Sequence, residues 1–171
     1  MSKIRTPTSP QLSPEVIRAV HRQEYSALEQ LVTNATVNLP DSYGRSVLSV
    51  VVNYGDVAML RWLLTKGPAL DQQDRNGWTA LHFAAQAYAV EMAALLLSAG
   101  ATVDVPDTHG NTPLWRAAFE SRGRGAMLHL LLTHGANPDQ SNNSGVSPRQ
   151  LAETIANFDV KQFFAQYPPL H

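Results

Sequence analysis

Six histidines are the first residues to test for chemistry: His21, His82, His109, His129, His134 and His171. A metal pair or a base with its orienting partner needs two such groups on one face of an element. His129 and His134 stand five residues apart, off a shared helix face, and make a poor pair. The chain has no cysteine, which removes thiol nucleophiles, disulfides and cysteine-ligated zinc together. HExxH, GxSxG, P-loop and dinucleotide glycine patterns are absent from the sequence. The glycines at 123 and 125 form too short a run to cradle phosphates. Asp71, Asp104 and Asp139 recur at a regular interval, whereas an acid–base pair would break such a rhythm. The expectation is therefore no enzyme, no cofactor and no metal.

Non-covalent recognition is the remaining chemistry. The formal net charge of -1 offers no field to draw in nucleic acid or an anionic membrane, so neither is expected as a partner. No apolar run approaches the roughly 20 residues that span a bilayer, and the N-terminus lacks the apolar core of a secretory signal. A cytoplasmic protein is expected. Tyrosine, tryptophan and arginine, the residues that dominate interface hot spots, are scattered at intervals that the repeat explains.

Asp-x-x-Gly begins at Asp41, Asp74 and Asp107, each 33 residues after the last, and a degraded copy starts at Asn142. Behind each glycine comes a helix start: Ser46-Val47-Leu48, Thr79-Ala80-Leu81, Thr112-Pro113-Leu114 and Ser147-Pro148. Hydroxyls at these positions suit N-caps, and Pro113 and Pro148 suit the first helical turn. Small residues Ala84, Ala85, Ala117 and Ala118 allow neighbouring helices to approach. The pairs Leu63-Leu64, Leu96-Leu97 and Leu131-Leu132 supply the stripe of a second helix, and Gly67, Gly100 and Gly135 close it. One helix pair cannot bury these stripes, but a stack of pairs can.

The period, with Thr79-Ala80-Leu81-His82-Phe83-Ala84 and Thr112-Pro113-Leu114-Trp115-Arg116-Ala117, resembles the ankyrin-repeat family. The resemblance implies an all-α solenoid of helix-turn-helix units joined by short β-hairpin-like loops. The units expected are a flexible tail over 1–12, an N-terminal capping repeat over 13–40, and repeats over 41–73, 74–106 and 107–141. A C-terminal capping repeat over 142–167 completes the stack, ending in a short helix with Val160, Phe163 and Phe164 that Pro168 and Pro169 stop. His82, as part of the signature, is expected to bond across the repeat.

Family members bind partner proteins with the hairpin tips and the exposed side of each first helix. The resemblance therefore assigns the partner-binding strip to Tyr43, Arg45, Asn53, Tyr54, Arg75, Asn76, Trp78, Gln86, Tyr88, His109, Asn111, Trp115, Arg116, Phe119, Glu120 and Arg122. The third repeat departs from the pattern. It carries two extra residues near Ser121–Gly125, either a plain connector or a basic contact with an acidic partner. Trp115 replaces the family's histidine, and Arg116 stands where other repeats have Val50, Phe83 and Leu151. That arginine either reaches out over Trp115, pairs with Glu120, or anchors a ligand acid. Tyr88 replaces the glycine found as Gly55, so it either reshapes the turn or touches a partner. Trp78 either lies flat on its hairpin or reaches a partner. Trp62 is assigned to packing or the convex side. The function expected is non-catalytic protein binding by a monomer. Small bacterial members include antidotes, so one role is an inhibitor or immunity protein covering an effector. The alternative is an adaptor bridging two proteins.

Overall fold

The computed structural model describes residues 10–167. The first nine residues of the expected tail, Pro168, Pro169 and His171 lie outside them. Among the described residues nine α-helices follow in order: α1 Pro14–Arg22, α2 Tyr25–Leu31, α3 Val47–Tyr54, α4 Val57–Leu64, α5 Ala80–Gln86, α6 Val90–Ser98, α7 Pro113–Glu120, α8 Ala126–Thr133 and α9 Pro148–Thr154. A 3-10 helix, Val160–Phe164, closes the chain. No strand occurs among the described residues.

The recurrent acid builds the loop before each first helix. Asp41 Oδ1 accepts from the Tyr43 and Arg45 N–H groups at 2.8 and 2.9 Å, and Asp74 Oδ1 from Asn76 and Trp78 at the same distances. Asp107 Oδ1 accepts from His109 and Asn111. Asn142 repeats the pattern at 3.0 Å through its amide oxygen, so the degraded fourth start still folds into the same turn. A bond between the ends of each loop, such as Asp74 N–H to the Trp78 carbonyl at 3.0 Å, closes it like a hairpin tip.

Ser46, Thr112 and Ser147 then cap α3, α7 and α9, accepting from the N–H three residues on. The first helices α1, α3, α5, α7 and α9 stack in one row, and α4, α6 and α8 stack in a second row behind them. Ala84, Ala85, Ala117 and Ala118 are fully buried between neighbours, as are Leu63, Leu96 and Leu131. The other recurrent acids join successive units. Asp71 Oδ1 accepts from Thr102 N–H at 2.9 Å, Asp104 Oδ2 from Asn137 N–H at 2.8 Å, and Asp139 Oδ1 from Arg149 Nε at 2.6 Å.

The ends differ from the sequence expectation in two details. Leu12, assigned to the flexible tail, is buried and its N–H donates to the Pro40 carbonyl at 2.8 Å. It takes the place of a hairpin that residues 13–40 lack. At the other end the last helix is 3-10, with Val160 and Phe164 inward and Phe163 half-buried. Trp62 packs against the core with Lys66 over its ring.

Candidate protein-interaction surface

The hairpin tips form a ladder along one edge of the solenoid. Arg75 N–H donates to the Tyr43 carbonyl at 3.2 Å, Thr108 N–H to Asn76 at 3.0 Å, and Asn143 N–H to His109 at 2.9 Å. Each tip is thus held by the next, and its outward side chains have fixed spacing. At the ends of the first helices away from the tips, the C-terminal turns of α3, α5 and α7 carry Asn53 and Tyr54, Gln86, and Phe119 and Glu120.

Not every residue assigned to the strip is free to bind. Tyr43 is 64% exposed, Phe119 56% and Tyr54 42%. Asn53, Arg75, Asn76, His109 and Arg122 are exposed too. Arg75 and Arg122 have no carboxylate within ion-pair distance among the described residues. Tyr54 sits on His21 and donates to its carbonyl at 2.9 Å, which fixes the ring while leaving one face open.

Other assigned residues are engaged inside the fold. Asn111 is buried, a correction to its place on a tip: its amide binds Asp107 and accepts from Asn142 Nδ2 at 2.9 Å. Arg45 turns back on Asp41 with its guanidinium at 2.8 Å. Gln86 donates to Glu120 at 2.6 Å. The acid that pairs with Arg116 is Asp107, not Glu120.

Arg116 meets the Asp107 carboxylate at 3.2 Å and covers Trp78, with Trp115 beside it. Trp78 also stacks near His82 and meets Phe83 edge-on. The arginine thus found both a buried acid and two aromatic faces, and the Asp107 partner is the part the spacing did not reveal. Burial pushes the Asp107 carboxyl up, but the N–H groups of Asn111 and His109 outweigh it and hold the carboxyl below its usual range. Trp115 stacks on Phe119 with rings 10° from parallel, giving Phe119 a rigid backing.

Tyr88 is a turn residue. It adopts φ 53, near the φ 88 of Gly55, and its hydroxyl donates to the Arg124 carbonyl and accepts from Met127 N–H. Arg124 lies 3.9 Å over the ring and also binds the Ser121 and Glu120 carbonyls. The insert is therefore a packed corner in which Arg122 alone of its two arginines lacks a described partner. Gly123 and Gly125 leave room for Phe158 and Phe163.

His82 is buried and bonds across the repeat, its Nε2 donating to the Asn111 carbonyl at 3.1 Å while Nδ1 accepts Thr79 N–H. Burial pushes the imidazole below its ordinary value. The strip assigned from the resemblance left out the fourth tip. Asn143 and Ser144 are exposed and extend the ladder; the Asn142–Gly145 spacing was the signal for them. No group of His, Asp and Glu able to hold a metal occurs among the described residues. No described helix is long and apolar enough to cross a membrane.

The family model for ankyrin repeats matches residues 16–107 and 48–142. The chain belongs to the ankyrin-repeat family. It is 36% identical over 116 residues to a putative ankyrin repeat-containing protein of Treponema pallidum, covering 67% of this chain and 38% of that protein. It is 34% identical over 118 residues to ankyrin repeat domain-containing protein 63 of Mus musculus, covering 64% and 30%. Protein glp-1 of Caenorhabditis elegans is 36% identical over 122 residues, covering 63% and 9%. The chain thus spans well under half the length of these relatives. Ankyrin repeats are in general protein–protein interaction modules, and that coarse function extends to this chain.

Proposed function

We propose that the chain binds one partner protein through the strip formed by Tyr43, Asn53, Tyr54, Arg75, Asn76, His109, Phe119 and Arg122, and acts as a monomer in the cytoplasm. The supporting observation is that Tyr43, Tyr54 and Phe119 stay exposed while Tyr54 bonds the His21 carbonyl, Phe119 stacks on Trp115 and Arg45 lies over Tyr43. Rings restrained before binding lose little entropy on contact, and aromatics beside arginine have the composition of interface centres. Trp115 backs Phe119 and Arg45 lies over Tyr43, whereas Trp78, Gln86, Tyr88, Asn111, Arg116 and Glu120 are engaged within the fold.

A single strip of this kind suits a protein that covers a partner's surface, as an inhibitor or an immunity protein neutralising a bacterial effector would. Phe158 is 44% exposed at the C-terminal end, an observation that favours the second reading, an adaptor with two faces.

The test is to recover the partner by pull-down from the native host and titrate it with Tyr43→Ala and Phe119→Ala variants. Truncating two interface rings is expected to weaken binding by about 100-fold, since each is worth about 1–2 kcal/mol. Loss of the partner's own activity on binding marks an inhibitor. Unchanged activity together with a second protein held through Phe158 marks an adaptor. Full affinity in the double variant removes the strip.

A further inference from the structure

The hairpin ladder has an unused position at its N-terminal end. In each later tip the second residue donates its N–H to the tip before it: Arg75 to Tyr43, Thr108 to Asn76 and Asn143 to His109. Ser42 is the corresponding residue of the first tip, and its N–H meets no acceptor among the described residues. The N-terminal unit has no hairpin to supply one, because Leu12 enters there instead.

A groove of about 480 Å³ opens beside Leu12 and the first tip. Leu12, Pro14 and Ile17 line one side of it and Tyr43 the other, with Arg18 and Arg45 at the rim. Both arginines already have acids, Arg18 with Glu15 at 2.6 Å and Arg45 with Asp41 at 2.8 Å. The rim therefore asks for no charge, and the walls ask for an apolar group.

We propose that the groove and the Ser42 N–H form a docking site for a reverse turn of a partner protein, one that offers a backbone carbonyl to Ser42 and an apolar side chain to Leu12, Ile17 and Tyr43. The turn would continue the interface that already joins tip to tip within the solenoid. Main-chain bonds of this type supply affinity while a side-chain pocket supplies selectivity. A second copy of this chain fits poorly. Its own open end is the Ser144 carbonyl, flanked by Asn142, Asn143 and Gly145, which would place polar amides in an apolar groove. The groove shares Tyr43 with the strip but needs neither Arg75 nor Phe119, so Phe119→Ala separates the two.

The test uses a display library of short disulfide-closed peptide loops selected on the full-length chain. Ser42→Pro removes the N–H, and proline is favoured at this place in a tight turn. Ile17→Gln makes the wall polar. The selected loops are expected to carry Leu, Ile, Met or Phe at the tip and to lose about tenfold or more in affinity for each variant. Their affinity should be unchanged by Phe119→Ala, so failure here is distinguishable from failure of the strip. Amide exchange by NMR gives a second readout. In the free protein Ser42 N–H should exchange much faster than those of Arg75, Thr108 and Asn143, and a selected loop should slow it. Loops that bind Ser42→Pro as tightly as the parent overturn the proposal, as does a library that enriches none. So does a Ser42 amide already as protected as Arg75 without any loop.

Discussion

Arg116 shows how one side chain can serve an interface without touching a partner. Its guanidinium offsets a carboxylate whose side chain is fully buried, and it lies over Trp78. Arg116→Ala leaves Asp107 with only its backbone and Asn111 donors, so urea unfolding should show a loss of about 2–3 kcal/mol. A loss near zero would mean that the pair contributes nothing net. Tyr88→Phe removes two hydrogen bonds of the packed corner; it should cost about 1–2 kcal/mol of stability while partner affinity stays within experimental error. His82 sets a pH dependence. Burial holds the folded imidazole neutral below the ordinary value of 6.5, and a neutral Nδ1 is what accepts Thr79 N–H. The unfolded chain then binds the extra proton first. Stability from this group is complete above that value and declines as pH falls below it, toward the lowered folded value. Melting temperature measured from neutral pH down to about 5 should fall, and His82→Gln should flatten that part of the profile. An unchanged slope in the variant would place the titration elsewhere.

At the scale of elements, the loops and caps were the most legible part. Asp-x-x-Gly at a fixed interval marks a turn because one carboxylate oxygen can take two N–H groups only if the chain reverses. What the sequence could not show is that each tip also bonds the next, because that contact joins backbone atoms and leaves no residue-type signature. Gly77 and Gly145 separate the two effects, since both have φ 77. A Cβ at Gly77 would lie 2.7 Å from Thr108 N, whereas at Gly145 it meets nothing within 4 Å. Gly145→Ala should cost about 1 kcal/mol from backbone strain alone, and Gly77→Ala clearly more in the same denaturant series. Equal costs would show that the ladder yields freely. The insert was ambiguous in sequence for a related reason. Its role as a corner depends on Phe158 and Phe163 returning from more than 30 residues away.

For the whole molecule, the repeat made the fold class and the stacking order readable, because a helix pair with one small-residue face has only its neighbours to bury it. The resemblance assigned Asn111, Arg116 and Tyr88 to the strip, and partners within the fold draw all three inward. A stack with only nearest-neighbour contacts should also open from its weaker end. The C-terminal unit has a seven-residue helix followed by a 3-10 turn, so amides of 148–164 should exchange before those of α5 and α7. Partner recognition is proposed to rest on exposed rings at the first tip and at the C-terminal turns of α3 and α7. Calorimetric titration of the recovered partner against the Tyr43→Ala/Phe119→Ala double variant, with Arg61→Ala on α4 in the second row as control, tests it most directly. A loss of about 100-fold is expected for the first and less than about twofold for the second. Equal affinity for both variants would contradict it.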